Sequence, residues 1–388
     1  MKKASALEGA MLIALVFLIR GMRPAPAAQE KGDACRNADL ALSQSKLRDA
    51  LSLFQTCHKQ DPSRVEALSS LGIVYARLGE FDEAIAAYRQ GLALDPWNPQ
   101  LNMNMGLAYL KSGRYEEAAR SFSRTLLVES DNSRVEELRA FCHYQLEQYE
   151  LAATEAQRVY KAAPQEESAA FLLGSIYLKL HFYDKAIPLI DQALRKADSA
   201  QTHALLGEAY MGIRAFRKAL QEFTRAQELQ PDMPGLNSRI GAALVGLGDP
   251  ERATAEFDKE LVRDPNNFEA NYYLGRLKRE SNDYEAATKY LEKALQLRPG
   301  DPSTVREYSA LAIQSRDYAT AESMLRRVVE KYPNYFDAHV LLAEVYFKTH
   351  RPEEAEREKA IMEGLRKREH ARSPRPSDDT LRPILDIP

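Results

Sequence analysis

The stretch Leu71–Tyr88, LGIVYARLGEFDEAIAAY, decides how the 388-residue chain is read. Leu71 and Gly72 are followed by Tyr75, then by Gly79 ahead of Phe81, Ala84 and Tyr88. Leu68, Leu71 and Tyr75 fall at helical spacing, Gly79 marks a turn, and Phe81, Ala84, Ile85, Tyr88 and Leu92 fall at helical spacing again. Pro96 and its polar neighbours close the second run. The pattern predicts two antiparallel helices, with Gly72 and Ala84 small enough for close approach and aromatic rings filling the space around them.

The pattern returns along the chain. Ala84 recurs in phase at Ala50, Ala118, Ala152, Ala186, Ala219, Ala253, Ala287, Ala321 and Ala355, at intervals of 34 residues except for 33 between Ala186 and Ala219. The small residue at Gly72 recurs as Ala38, Gly106, Ala140, Gly174, Gly207, Gly241, Gly275, Ser309 and Ala343. Internal periodicity of this length is the signature of a repeat array. A single hairpin cannot bury its apolar face alone, so successive hairpins stack into a solenoid. The expected units are about 31–64, 65–98, 99–132, 133–166, 167–199, 200–233, 234–267, 268–301, 302–335 and 336–369.

The phase-locked Leu71-Gly72, Tyr75, Ala84, Tyr88 and Pro96, repeated as Leu206-Gly207, Tyr210, Ala219, Phe223 and Pro231, resembles the tetratricopeptide repeat (TPR) family. The resemblance implies an all-α fold: a right-handed α-solenoid of about ten helix-turn-helix repeats. Its first helices would line a concave groove, used in the family mostly to hold peptides or other proteins.

Both ends depart from the array. Lys2 and Lys3 precede the apolar run Ala10–Ile19, and Ala25 and Ala27 follow in A-x-A spacing. This three-part pattern predicts a signal peptide over 1–28, cleaved near Ala27 or Ala28, and an exported protein. Retention of residues 10–19 as a membrane anchor is the alternative. Cleavage would take the net charge from −3 to −6, because residues 1–28 hold four basic side chains and one acidic one. At the other end, Lys359 stands at a phase elsewhere filled by apolar residues, and the charged EEAEREKA around it reads as a solvated cap. Residues 370–388 are rich in Pro and charge and are expected to be disordered. Within the array, the short fifth unit carries Pro188 inside its second helix. Proline removes a backbone donor, so altered geometry, with a hinge or a tolerated kink, is expected between Tyr183 and Thr202.

The near-neutral charge argues against a nucleic-acid binder, which would show a basic face. Phosphate-binding Gly loops, H-E-x-x-H, paired C-x-x-C and nucleophile-elbow patterns are all missing from the sequence. The seven His are spread along the chain, and no two stand at i, i+4. No catalytic residue, metal or cofactor is therefore expected, and the reading is a non-enzymatic scaffold. Cys35 and Cys57 lie equidistant from the predicted turn at Lys46, which makes them neighbours across an antiparallel hairpin. If the chain is exported, an oxidising compartment permits a disulfide there; two separate small core residues are the alternative.

The partner site is expected on the first helices of the seventh to ninth units, at Arg239, Tyr272, Tyr273, Arg276, Arg279 and Arg306. Arg and Tyr are the residue types that anchor interfaces, and an acidic protein segment would suit them. Glu269, Glu280 and Glu307 lie close enough in sequence to neutralise these arginines instead. The family's acidic-tail clamp is not supported, since Ser69, Ile73, Asn104, Arg134 and Leu138 match it only at Asn104 and Arg134. A membrane-held assembly or secretion component, and a carbohydrate-binding or enzymatic groove, stand as the rival functions.

Overall fold

A computed structural model describes residues 33–196 and 198–372; the expected signal segment and residues 373–388 lie outside this range. The described residues form helices and turns, with no strand among them. The chain divides into two compact units, Met1–Pro234 and Gly235–Pro388. The first carries α1 (Asp33–Ser43), α2 (Leu47–Gln60), α3 (Val65–Leu78), α4 (Phe81–Leu94), α5 (Pro99–Lys111) and α6 (Tyr115–Val128). It continues with α7 (Ser133–Gln145), α8 (Tyr149–Ala162), α9 (Glu167–Lys179), α10 (Tyr183–Leu194), α11 (Ala200–Gly212) and α12 (Phe216–Leu229). The second carries α13 (Leu236–Gly246), α14 (Pro250–Arg263), α15 (Phe268–Glu280), α16 (Tyr284–Leu297), α17 (Pro302–Gln314), α18 (Tyr318–Lys331), α19 (Phe336–Lys348) and α20 (Pro352–Arg372). Odd- and even-numbered helices pair as hairpins, and within each unit every hairpin packs on the next, so each unit is an α-solenoid.

The recurring small residue faces a bulky side chain of the second helix. A Cβ on Gly72 would stand 2.2 Å from the Tyr88 ring, and one on Gly106 2.6 Å from that of Phe122. The rings of Phe223 and Phe257 occupy the same place against Gly207 and Gly241. The close approach is therefore glycine against ring, while Ala84, expected to face Gly72, is fully buried in the same hairpin. Tyr88 is fully buried and its hydroxyl has no hydrogen-bond partner among the described residues, and burial pushes its ionisation well above the usual phenol range.

Each hairpin turns through one residue in the left-handed region. Ser45, Gly79, Gly113, Glu147, His181, Arg214, Gly248, Asn282, Arg316 and His350 all have positive φ, and they recur with the period of the array. At α3 the Glu80 N–H donates to the Tyr75 carbonyl at 2.9 Å across Gly79, and the Asp317 N–H likewise reaches the Ala312 carbonyl at 2.8 Å across Arg316. This is the six-to-one closure of a Schellman motif, which satisfies a carbonyl otherwise left open at the helix end. A Cβ in that conformation costs about 1–2 kcal/mol.

Helix α10 is continuous through Pro188, so the proline does not break it. It spans 12 residues where α8 and α12 span 14. The last helix, α20, runs through Arg372, three residues into the segment expected to be disordered. Lys359 is exposed and pairs with Glu356, and Ala355 is the buried position of α20, which suits a terminal helix with one wet face.

Cys35 and Cys57 join α1 to α2 in a disulfide with Cα atoms 5.1 Å apart. Closing a loop of 22 residues contributes about 3 kcal/mol by restricting the unfolded chain. Cys142 is a free, buried thiol whose ionisation burial pushes far upward.

Two substitutions probe the packing and the turn by denaturant unfolding. Tyr88→Phe removes an unsatisfied buried hydroxyl and is expected to stabilise the protein by about 1 kcal/mol. Arg316→Gly, at an exposed turn with φ of 63°, is expected to stabilise by roughly 0.5–1 kcal/mol. A loss of stability in either variant would contradict the packing or the turn argument respectively.

Candidate functional site

Helix α15 begins at Asn267, whose side chain accepts from the Ala270 N–H, and it buries Ala270, Asn271, Leu274, Gly275 and Leu277. Those positions take one stripe of the helix and leave Tyr272, Tyr273, Arg276 and Arg279 half-buried beside it. The Tyr273 ring stacks on Phe257 of α14, with centroids 5.2 Å apart and planes 8° from parallel. Tyr272 stacks on Phe268 at 6.2 Å, and the two tyrosines meet edge to face at 5.1 Å. The Arg276 guanidinium lies 5.4 Å from the Tyr273 centroid, within cation–π range. Its Nε is 3.3 Å from a Glu280 carboxylate oxygen but out of line for a hydrogen bond.

Arg279 and Arg306 have a different job. Both close on Glu307 of α17, whose side chain is 2% exposed. Arg279 donates from Nε at 3.0 Å to one carboxylate oxygen, which its Nη2 also approaches to 2.8 Å as an ion pair, while Arg306 takes the other. Arg306 also interacts electrostatically with Tyr272 and lies 3.8 Å from Asp337 of α19. Burial works against the Arg306 charge, yet Glu307 and Tyr272 hold its ionisation above the usual guanidinium range. Burial likewise raises Tyr273, with its neighbour Tyr272 adding to the effect.

The expected site residues thus divide. Tyr272, Tyr273 and Arg276 form one surface cluster, and Arg279 and Arg306 are tied into the protein by a buried carboxylate. Arg239 stands half-buried on α13, one hairpin earlier. Glu269, expected to neutralise these arginines, pairs with Arg298 at 2.9 Å, and Arg298 covers the Phe268 ring at 3.9 Å. The sequence reading missed Phe257, Phe268 and the interior place of Glu307. The usable signal for Glu307 was its phase: it stands 34 residues after Tyr273, on the same face of the first helix. Among the described residues no group of three or more His, Cys, Asp or Glu is placed to hold a metal ion. No helix of the described residues is long and apolar enough to cross a membrane.

Removing Arg279 leaves a carboxylate buried with half its partners. Arg279→Ala is expected to cost about 3 kcal/mol, and combining it with Glu307→Gln to recover part of that loss. A thermal melt in which the single variant matches the wild type would show Glu307 to be satisfied without Arg279.

Three comparisons bear on this arrangement. Residues 257–372 match the profile of the cytochrome c-type biogenesis protein H TPR domain. Residues 75–141 match one tetratricopeptide repeat profile, and 35–99 and 171–234 match another. No curated protein sequence matches significantly. Among solved structures, MamA from Desulfovibrio magneticus RS-1 is 24% identical, with 44% of this chain and 96% of that one covered and a TM-score of 0.41. YrrB, described as a TPR protein with an unusual peptide-binding site, is 20% identical over 50% of this chain and 97% of its own, at 0.43. PilF of Pseudomonas aeruginosa is 20% identical over 51% and 91%, at 0.44. Helical hairpins in a 34-residue period and repeat profiles matched along both units lead to one assignment: the chain belongs to the tetratricopeptide repeat family.

Proposed function

We propose that the protein is a non-enzymatic scaffold that holds an extended protein segment on the first-helix face of its second unit. The observation that carries this reading is the stacked cluster of Phe257, Phe268, Tyr272 and Tyr273 with Arg276 over it. Aromatic rings and arginine supply large contact area at low entropy cost, and rings already locked by stacking lose little freedom on binding. A partner side chain with an apolar body would pack on Tyr272, and a carboxylate beside it would meet Arg276. Because Glu307 consumes Arg279 and Arg306, the partner is recognised by its apolar anchors first and its acidity second. Tetratricopeptide arrays are typically non-catalytic, in keeping with this role.

The profile match over 257–372 spans the whole cluster, and its description supports a second reading, a component that assembles another protein. Export is part of both readings. The Cys35–Cys57 bridge fits an oxidising compartment, and retention of residues 10–19 would keep the scaffold at a membrane.

Affinity capture from the native organism, with bound proteins quantified by mass spectrometry, tests the site. Tyr272→Ala is expected to weaken the dominant partner by about 2 kcal/mol, roughly thirtyfold, and Arg276→Glu by a similar amount. Arg279 is unsuitable for this purpose because its loss disturbs Glu307. Partner recovery that is unchanged in both variants would remove the site.

A further inference from the structure

The first unit holds a cavity of about 480 Å³ between the second helix of one hairpin, α4, and both helices of the next, α5 and α6. Its wall carries four arginines, Arg89, Arg114, Arg120 and Arg124, and one carboxylate, Glu117. Arg114 is already neutralised: it donates to Glu117 at 2.8 and 2.9 Å and reaches Asp82 at 3.4 Å. Its donated hydrogen bonds hold Glu117 below the usual carboxylate range, with the charge of Arg120 adding to the effect. The guanidinium of Arg114 also lies 4.6 Å from the Tyr109 centroid, which fixes one wall.

The other three are not spent in this way. Arg89 donates to the Tyr109 hydroxyl at 2.8 Å. Among the described residues neither it nor Arg120 nor Arg124 forms an ion pair or hydrogen bond with a carboxylate, and only the field of Glu117 reaches Arg120. Arg120 and Arg124 stand one turn apart on α6, so their side chains project from the same face. Both are exposed, as is Arg89, whereas Tyr109 beneath them is 4% exposed. Leu92, Ala93 and Met105 add apolar atoms to the lining, and Ser121 adds a hydroxyl.

We propose that this cavity binds a small phosphate monoester, with Arg89, Arg120 and Arg124 on its phosphate and Leu92 and Met105 against its organic body. Three guanidinium forks match a group with three terminal oxygens better than a carboxylate with two, and paired N–H donors on oxyanions are the strong form of this contact. The volume falls within the range of about 300–1,000 Å³ typical of small-molecule sites, well beyond the needs of a bare ion. The site lies in the first unit and is independent of the protein partner proposed for the second.

Titration calorimetry with phenyl phosphate, benzoate and inorganic phosphate tests the assignment on the full chain. Phenyl phosphate is expected to bind with a dissociation constant of about 1 mM or tighter, and both comparison ligands at least about tenfold more weakly. The Arg120→Ala, Arg124→Ala double variant alters exposed side chains and keeps the wild-type circular dichroism. It is expected to lose at least about tenfold in affinity. Affinity for phenyl phosphate is expected to rise from pH 5 to pH 7, as the ester takes its second charge near a pKa of about 6, while that for benzoate stays level. Equal binding of benzoate, unchanged affinity in the double variant, or no binding by the wild type overturns the proposal. So does binding to phosphatidic acid vesicles without binding to phenyl phosphate, which would place the phosphate on a lipid surface.

Discussion

The contact of a bulky side chain with a backbone that has no side chain sets the spacing within most hairpins. Where Gly72 meets Tyr88 and Gly106 meets Phe122, the ring sits at a distance that any Cβ would violate. Dense interiors tolerate such a ring only in one place, so the contact fixes both the separation and the register of the pair. Register then decides everything further out. It puts Ala84 and its equivalents at the fully buried helix contact, and it decides which first-helix residues are left at the surface. The fourth hairpin lacks the ring and fills the interior differently. Ala140 faces a phase occupied by Ala156, and nearby Arg139 and His143 close on a buried Glu155 at 2.9 and 2.8 Å. A polar trio stands near the place where other hairpins pack a ring on glycine, while Phe141 and Tyr144 keep buried rings elsewhere in the hairpin.

The same constraint explains what was legible in the sequence. Packing against backbone admits few residue types, so Gly72, Gly106, Gly207 and Gly241 repeat visibly and reveal the period. The hairpin turn repeats just as strictly in conformation but not in letters. Gly79, Gly113 and Gly248 announce it, while Glu147, His181, Arg214 and Arg316 adopt the same positive φ without a sequence signal. The cost of about 1–2 kcal/mol per residue is too small to exclude them once two packed helices and a six-to-one hydrogen bond impose the turn. Pro188 is tolerated for a related reason. Proline forfeits one hydrogen bond, and helical packing on both sides holds α10 together regardless.

The candidate site was legible in position and not in pairing. Repeat phase places Tyr272, Tyr273 and Arg276 beside the buried stripe of α15, and there they stand. Phase says nothing of which charge meets which, because Arg279 and Glu307 are 28 residues apart and come together only through the stacking of α15 and α17. Nor does it show that Phe257 and Phe268 lie flat against the two tyrosines. The Phe257–Tyr273 and Arg279–Glu307 contacts depend on packing between helices, which a single repeat does not encode, whereas Phe268 and Tyr272 are i,i+4 neighbours on α15.

Burial and partner, and not residue type, therefore separate structural from functional charge in this chain. A buried carboxylate is costly unless it is fully met, and removing one partner costs more than the pair contributes. Glu155 recruits Arg139 and His143, Glu307 recruits Arg279 and Arg306, and Glu260 is met by the Gly235 N–H at 3.0 Å and by Asn267. Arginines near such carboxylates belong to the fold, however well they would suit an acidic ligand. Among the described residues Arg89, Arg120 and Arg124 pair with no carboxylate, buried or exposed, and they surround a cavity. All three are exposed, so water screens their mutual repulsion, and Glu117 in the same lining offsets part of the charge of Arg120. An anion entering that cavity would lower what repulsion remains and gain paired hydrogen bonds in the same step, which is the ground for the phosphate site proposed on the second-helix side, apart from the partner site proposed on the first-helix face.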